Sequence, residues 1–256
     1  MAASQAPEEP VAAGLRLAVG TLSVWPVGVP RVDRTTAGWA MTLAPLVGLP
    51  LGLAAAAVMA VAAFLVSPLL AAALALGSLA VLTRGLHLDG VADLADGLGS
   101  GKPAERALEI MKRSDIGPFG VVTLVFTVLV QAAAAAEAGP AAIVLACVTG
   151  RLALTWACLA GVPSARPGGL GAMVAGTVRQ SAAIAATAVA VVAALALGLL
   201  SGGPVNYPLA VAAGLGAAWA LRAHAIRRLG GITGDVLGAL VEVATATALV
   251  VCAAVP

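Results

Sequence analysis

Three aspartates in the run H-L-D-G-V-A-D-L-A-D-G, His87 to Gly97, stand at i, i+4 and i+7. On a helix that spacing puts Asp89, Asp93 and Asp96 on one face. Three carboxylates along one stripe repel one another unless a cation lies between them. All-oxygen donors suit a hard divalent metal bound to phosphate. The run lacks the alternating oxygens of an EF-hand loop, and His87 has neither a thiolate nor a second histidine nearby to make a zinc site. His87 itself suits a general base, a ligand or a packed residue. A run of charges is more often a solvated loop than a site. Against that reading, Leu82 ends an apolar run close upstream of Asp89, and an unpaired carboxylate at membrane depth is costly.

Other unusual residues extend the chemistry. Arg84 ends the apolar run that feeds the motif, and Asp115, Arg166 and Asp235 fall on the same side of the chain's threading. Arg151 sits in the middle of an apolar stretch and needs an anionic partner, either Glu242 or a substrate phosphate. Asp235 and Glu242, at i and i+7, complete a metal site or neutralise Arg151. Two glycine-rich loops, A-R-P-G-G-L-G (Ala165 to Gly171) and G-G-I-T-G-D (Gly230 to Asp235), offer backbone N–H groups to phosphates. Neither is a Walker or Rossmann fingerprint.

These residues need a scaffold, and the rest of the chain supplies one kind only. Of its 256 residues 61% are hydrophobic and 10% charged, against roughly a quarter charged in soluble domains. Mean hydropathy is +1.04. The expectation is an all-α, polytopic membrane bundle forming one catalytic domain over residues 1–256. A net charge of +2 gives no reason to invoke nucleic acid. Cys147, Cys158 and Cys252 lie in apolar runs without a C-x-x-C pair, so they read as buried apolar side chains. The first ten residues carry Glu8 and Glu9 in place of Lys or Arg and do not read as a cleaved signal.

Residues 1–37 hold an interfacial segment, with a helix over Val11 to Val24. Spans are expected over Gly38 to Val66, Leu69 to Leu82, Phe119 to Ala136, Ala141 to Val162, Ser181 to Leu200, a stretch beginning with Leu209 to Leu221, and Val236 to Val255. The second is short and must borrow from the acidic motif to reach the far interface. Residues 83–117 hold the motif and a short helix over Pro103 to Arg113, Ser201 to Pro208 make a turn, and Pro163 to Gln180 read as a loop. Threading these seven spans puts every Lys and Arg except Arg151 on one side, and only Glu137 among charged residues on the other. By the positive-inside rule the N-terminus and the motif face the cytoplasm of a bacterial cell membrane.

The motifs together resemble a known family, the adenosylcobinamide-GDP ribazoletransferases, or cobalamin (5'-phosphate) synthases. The likeness rests on His87 to Gly97, on E-I-M-K-R-S-D-I-G-P-F-G (Glu109 to Gly120), on the two glycine loops continuing as D-V-L-G-A to Ala239, and on A-P-L-V-G-L-P-L-G (Ala44 to Gly52). It runs in the family's order over nearly the whole chain. Lys112 to Asp115 depart from the family pattern, which more often has an aspartate before the serine, and this leaves open whether Asp115 takes that role. The resemblance implies a Mg2+-dependent membrane enzyme joining adenosylcobinamide-GDP to α-ribazole or its 5'-phosphate with release of GMP. Asp89, Asp93 and Asp96 would then hold the metal against the diphosphate. Arg84, Arg151 or Arg166 would clamp phosphate, with Asp235 beside them, and His87 or Asp115 would be the base. The sequence is silent on oligomeric state and permits an oligomer.

Two rivals were weighed. A CDP-alcohol phosphotransferase needs an Ala-Arg pair after D-G-x-x, where this chain has Asp93-Leu94. A secondary transporter usually shows internal repeats, and the acidic motif has no second copy.

Overall fold

The computed structural model describes residues 9–28, 32–201 and 205–254. The acidic N-terminal decapeptide and the turn at 201–208 fall partly outside these. Among the described residues the chain forms eleven helices and only two isolated parallel bridges. They are α1 (Pro10–Leu22), α2 (Arg34–Ala62), α3 (Pro68–Leu82), α4 (Leu86–Gly99), α5 (Ala104–Ile110), α6 (Pro118–Ala138), α7 (Pro140–Ala157), α8 (Gly169–Val174), α9 (Gln180–Ser201), α10 (Asn206–Leu229) and α11 (Gly234–Ala254).

Local chemistry sets most of these boundaries. Asp33 caps α2 by accepting the Thr36 N–H at 2.8 Å, and Ser67 with Pro68 opens α3. α10 ends on Gly230 in the left-handed region, φ 83°, with Arg227 and Arg228 in its last turn against the helix dipole. α2 continues through both Pro45 and Pro50. α8 is absent from the sequence reading, which took 163–180 as loop because glycine masks so short a helix.

Six helices, α2, α6, α7, α9, α10 and α11, are long and apolar enough to cross a bilayer. The chain is an integral membrane protein by this measure. Side chains such as Phe126, Val189 and Leu199 point outward to where lipid would lie. Inside, small residues let backbones touch: a Cβ on Gly48 would come within 2.6 Å of the Cys147 carbonyl, and one on Gly52 within 2.8 Å of Val144 Cα. α2 and α7 therefore pack backbone to backbone, the geometry that holds helices together without a hydrophobic driving force. Cys147 and Cys158 are buried and unpaired, as expected.

One expectation needs correction. α3 has 15 residues and was to be extended by the acidic motif. Instead Arg84 (φ 56°) and Gly85 (φ 66°) both enter the left-handed region, the helix stops, and α4 leaves at 90°. α3 and α4 qualify as a span only together, as a broken pair. α4 is not one of the six helices long enough to cross, and it packs on the first turns of α11 and α6.

Candidate active site

What brings the acidic helix to its place is a pair of glycines. A Cβ on Gly90 would lie 2.7 Å from the Asp235 carbonyl and 3.1 Å from Gly238 Cα, while one on Gly238 would lie 3.2 Å from His87 Cα. α4 and α11 therefore cross in backbone contact, and the carboxylate that follows the second glycine loop, Asp235, comes beside Asp89 and Asp93. Gly90 follows Asp89 directly in the sequence, so the residue that gives chemistry and the one that gives proximity are neighbours.

The two glycine loops meet on the same side. Ser164 bridges Ile232, with Ala165 N–H donating to the Ile232 carbonyl at 3.0 Å and Ile232 N–H to the Pro163 carbonyl at 2.9 Å. The backbones leave no room at Gly231, where a Cβ would run into Ser164 and Ala165. Joined in this way, the loops wall a cavity of about 280 Å³ whose polar lining includes His87, Asp89, Ser164, Arg166, Thr233 and Asp235. Arg166 is held by its Nη2 donating to the Leu108 carbonyl at 2.7 Å and stands 3.9 Å from Asp235. Thr233 Oγ1 donates to Asp235 Oδ2 at 3.2 Å and also accepts the Val236 N–H, so it orients the carboxylate at the start of α11.

The electrostatics are those of a site lacking positive charge. Burial, and then repulsion from Asp89, Asp235 and Asp96, pushes the Asp93 carboxyl up to about 7, with Arg166 opposing. His87 is only 3% exposed. Burial, and then the Arg151 charge, holds its imidazole well below the usual histidine range and so neutral, and its Nε2 has no hydrogen-bond partner. Among the described residues no three His, Cys, Asp or Glu side chains are close enough to form a metal cage by themselves. Mg2+ is usually held by one or two carboxylates together with substrate phosphates. Paired carboxylates on α4, Asp235 opposite and a phosphate-sized cavity fit that arrangement.

The stripe of three aspartates divides. Asp96 is 8% exposed, and its Oδ2 and Oδ1 accept the N–H groups of Gly117 at 2.6 Å and Gly120 at 2.9 Å. It caps α6 and ties it to α4 and does not line the cavity, where the carboxylates are Asp89 and Asp235, with Asp93 outside the lining. Asp115, the second candidate base, is exposed and lines none of the cavities described here. Arg151 is buried in α7 behind His87 and does not line the cavity. Its expected partner Glu242 accepts from Gln131 Nε2 at 2.7 Å and also lies within reach of the Arg151 charge. Gln131, Ser164 and Thr233 were missed, for a single uncharged polar residue in an apolar or glycine-rich run carries no pattern. Arg84 lies on the other side of α4.

Comparison with known proteins gives the family. The profile of a family described as cobalamin-5-phosphate synthase matches residues 14–253. The adenosylcobinamide-GDP ribazoletransferase of Frankia casuarinae is 48% identical over 260 residues, covering 93% of each chain. That of a Nocardioides species is 43% identical, covering 93% of this chain and 97% of its own. That of Bradyrhizobium diazoefficiens is 41% identical, covering 95% and 94%. No solved structure matches. With the family pattern running over residues 14–253, from α1 to α11, the chain belongs to the cobalamin-5-phosphate synthase family.

Proposed function

We propose that this chain joins adenosylcobinamide-GDP to α-ribazole or its 5'-phosphate and releases GMP, at the cytoplasmic face of a bacterial cell membrane. The observation that carries the reading is the meeting of Asp89, Asp93 and Asp235 with Arg166 and the paired glycine loops, an arrangement made for a diphosphate. The side of the membrane follows from the Lys and Arg distribution, with Arg151 alone set apart from the rest.

Asp89 and Asp235, which line the cavity with Asp93 beside them, would hold Mg2+ together with the substrate phosphates, and when bound it supplies Lewis-acid polarisation of the diphosphate. The other roles belong to the chain. Arg166, fixed by the Leu108 carbonyl, presents its charge to phosphate oxygens. The backbone around Gly168 to Gly171 closes the cavity on that side. A ribazole hydroxyl attacks the phosphorus bonded to the cobinamide arm, and His87, which lines the cavity, takes its proton. GMP leaves with the electron pair of the broken P–O bond. Neither the CDP-alcohol phosphotransferase nor the transporter is favoured by any of these features.

Complementation tests the assignment in cells. Expressed in a bacterium whose own ribazoletransferase gene is deleted, the full chain is expected to restore growth that depends on adenosylcobinamide supplied in the medium. Full chain present in the membrane fraction without restored growth would overturn the assignment.

A further inference from the structure

Asp89 lines two cavities. Besides the polar one described above, a second, more open one of about 540 Å³ shares Leu86 and Asp89 with it, and its lining also includes Arg84, Leu88, Ile116 and Leu124. The first is smaller and walled by glycine loops, hydroxyls and Arg166. The second is larger, largely aliphatic, and carries one cation at its edge. Ile116 is 50% exposed, apolar surface that a flat hydrophobic group would cover.

We infer that this second cavity is the acceptor site, and that Arg84 recognises the 5'-phosphate of the acceptor. The inference rests on the transferase reading above. A transfer between two bulky substrates needs two chambers meeting at the reacting atoms, and Asp89 is where these two meet. The diphosphate belongs with Arg166 and the paired loops. The acceptor, a nucleoside with an apolar aromatic base, belongs against Leu88, Ile116 and Leu124, its hydroxyl reaching past Asp89. There the new O–P bond forms as the P–O bond to GMP breaks, and the hydroxyl proton passes to His87, which lines the first cavity.

Arg84 is suited to read the acceptor's phosphate. It is the one residue other than glycine with positive φ among those described, so the turn that ends α3 also aims this side chain. Only Nη2 is engaged, donating to the carbonyls of Gly20 at 3.3 Å and Ser23 at 3.4 Å, long bonds that leave Nη1 and Nε free for an anion. Among the lining residues the sole carboxylate is Asp89, toward which the hydroxyl points.

The test compares kcat/KM for α-ribazole 5'-phosphate with that for α-ribazole. In Arg84→Gln the ratio of the two is expected to fall about tenfold or more, the worth of a charge-assisted hydrogen bond. Arg84→Lys keeps part of it. Leu124→Trp, which fills the second cavity, is expected to raise KM for both acceptors and to leave KM for adenosylcobinamide-GDP within about twofold, a surface-facing change of size having little reach beyond its neighbours. An unchanged ratio in Arg84→Gln, or a raised corrinoid KM in Leu124→Trp, overturns the assignment. Calorimetric binding of α-ribazole 5'-phosphate to the full chain in detergent carries the same test without turnover, Arg84→Gln weakening it by the same factor. Absence of GMP release by the unaltered protein defeats the transferase reading, whereas acceptor binding indifferent to both variants defeats this one.

Discussion

Asp89→Asn and Asp93→Asn are each expected to lower kcat for GMP release by roughly 10²–10³, the usual loss when one preorganised stabiliser of developing charge is removed. The protein should remain folded. Burial first, and then repulsion from the neighbouring carboxylates, already lifts Asp93 to about 7, so neutralising either residue removes a repulsive charge from the free protein. The double variant should fall little further, because groups that act as a unit are not additive. Asp96 gives the contrast. Its removal in Asp96→Ala leaves the Gly117 and Gly120 N–H groups without their acceptor, at a cost of about 1–3 kcal/mol. Measuring kcat beside thermal unfolding in detergent separates the two kinds of aspartate. Equal loss of stability in all three variants would show that α4 is merely a structural stripe.

Gly90→Ala is expected to abolish most activity while adding only a methyl group. At 2.7 Å from the Asp235 carbonyl and 3.1 Å from Gly238 Cα, the new Cβ meets backbone on all sides, and backbone cannot rotate away. α4 must lift from α11. Overpacking of this kind costs about 1–3 kcal/mol of stability. The greater effect is on geometry, since separating Asp89 and Asp93 from Asp235 by about 1 Å is enough to cost on the order of 10² in rate. A steady-state assay of Gly90→Ala, with Gly77→Ala as the control at a glycine with open space around it, measures the difference. Activity near that of the unaltered chain in Gly90→Ala would mean that Asp235 has no part in the site.

The spans were legible because apolar runs of membrane length separated by Gly-Pro or charged breaks leave few alternatives. Six of the seven appear as helices suited to crossing, and the short second one ends at Leu82 as read. The direction of the chain after Leu82 was not legible. Periodicity gives a helix over the acidic motif, yet it says nothing of a left-handed pair at Arg84 and Gly85 that turns the helix by 90°. The site was legible in its residue types and only half legible in its partners. His87, Asp89, Arg166 and Asp235 line one cavity. Asp96 looked identical to its two neighbours because what distinguishes it, the N–H groups of Gly117 and Gly120, comes 21 and 24 residues later. The joining of the two glycine loops was invisible for a similar reason, being backbone hydrogen bonding between segments far apart in the chain. Arg151 stands out by its charge in a span and does interact with Glu242, but the Gln131 that shares that carboxylate was not legible.

The account's central claim is that one cavity, shared by α4, α11 and the paired loops, carries out a transfer with GMP as leaving group. The most direct measurement is turnover by the purified full-length chain in liposomes, given adenosylcobinamide-GDP, α-ribazole and Mg2+, with GMP and joined corrinoid followed together. The account predicts that the two appear in equal amounts and that both require α-ribazole. GMP formed without joined corrinoid, or no GMP from a folded protein, would contradict it.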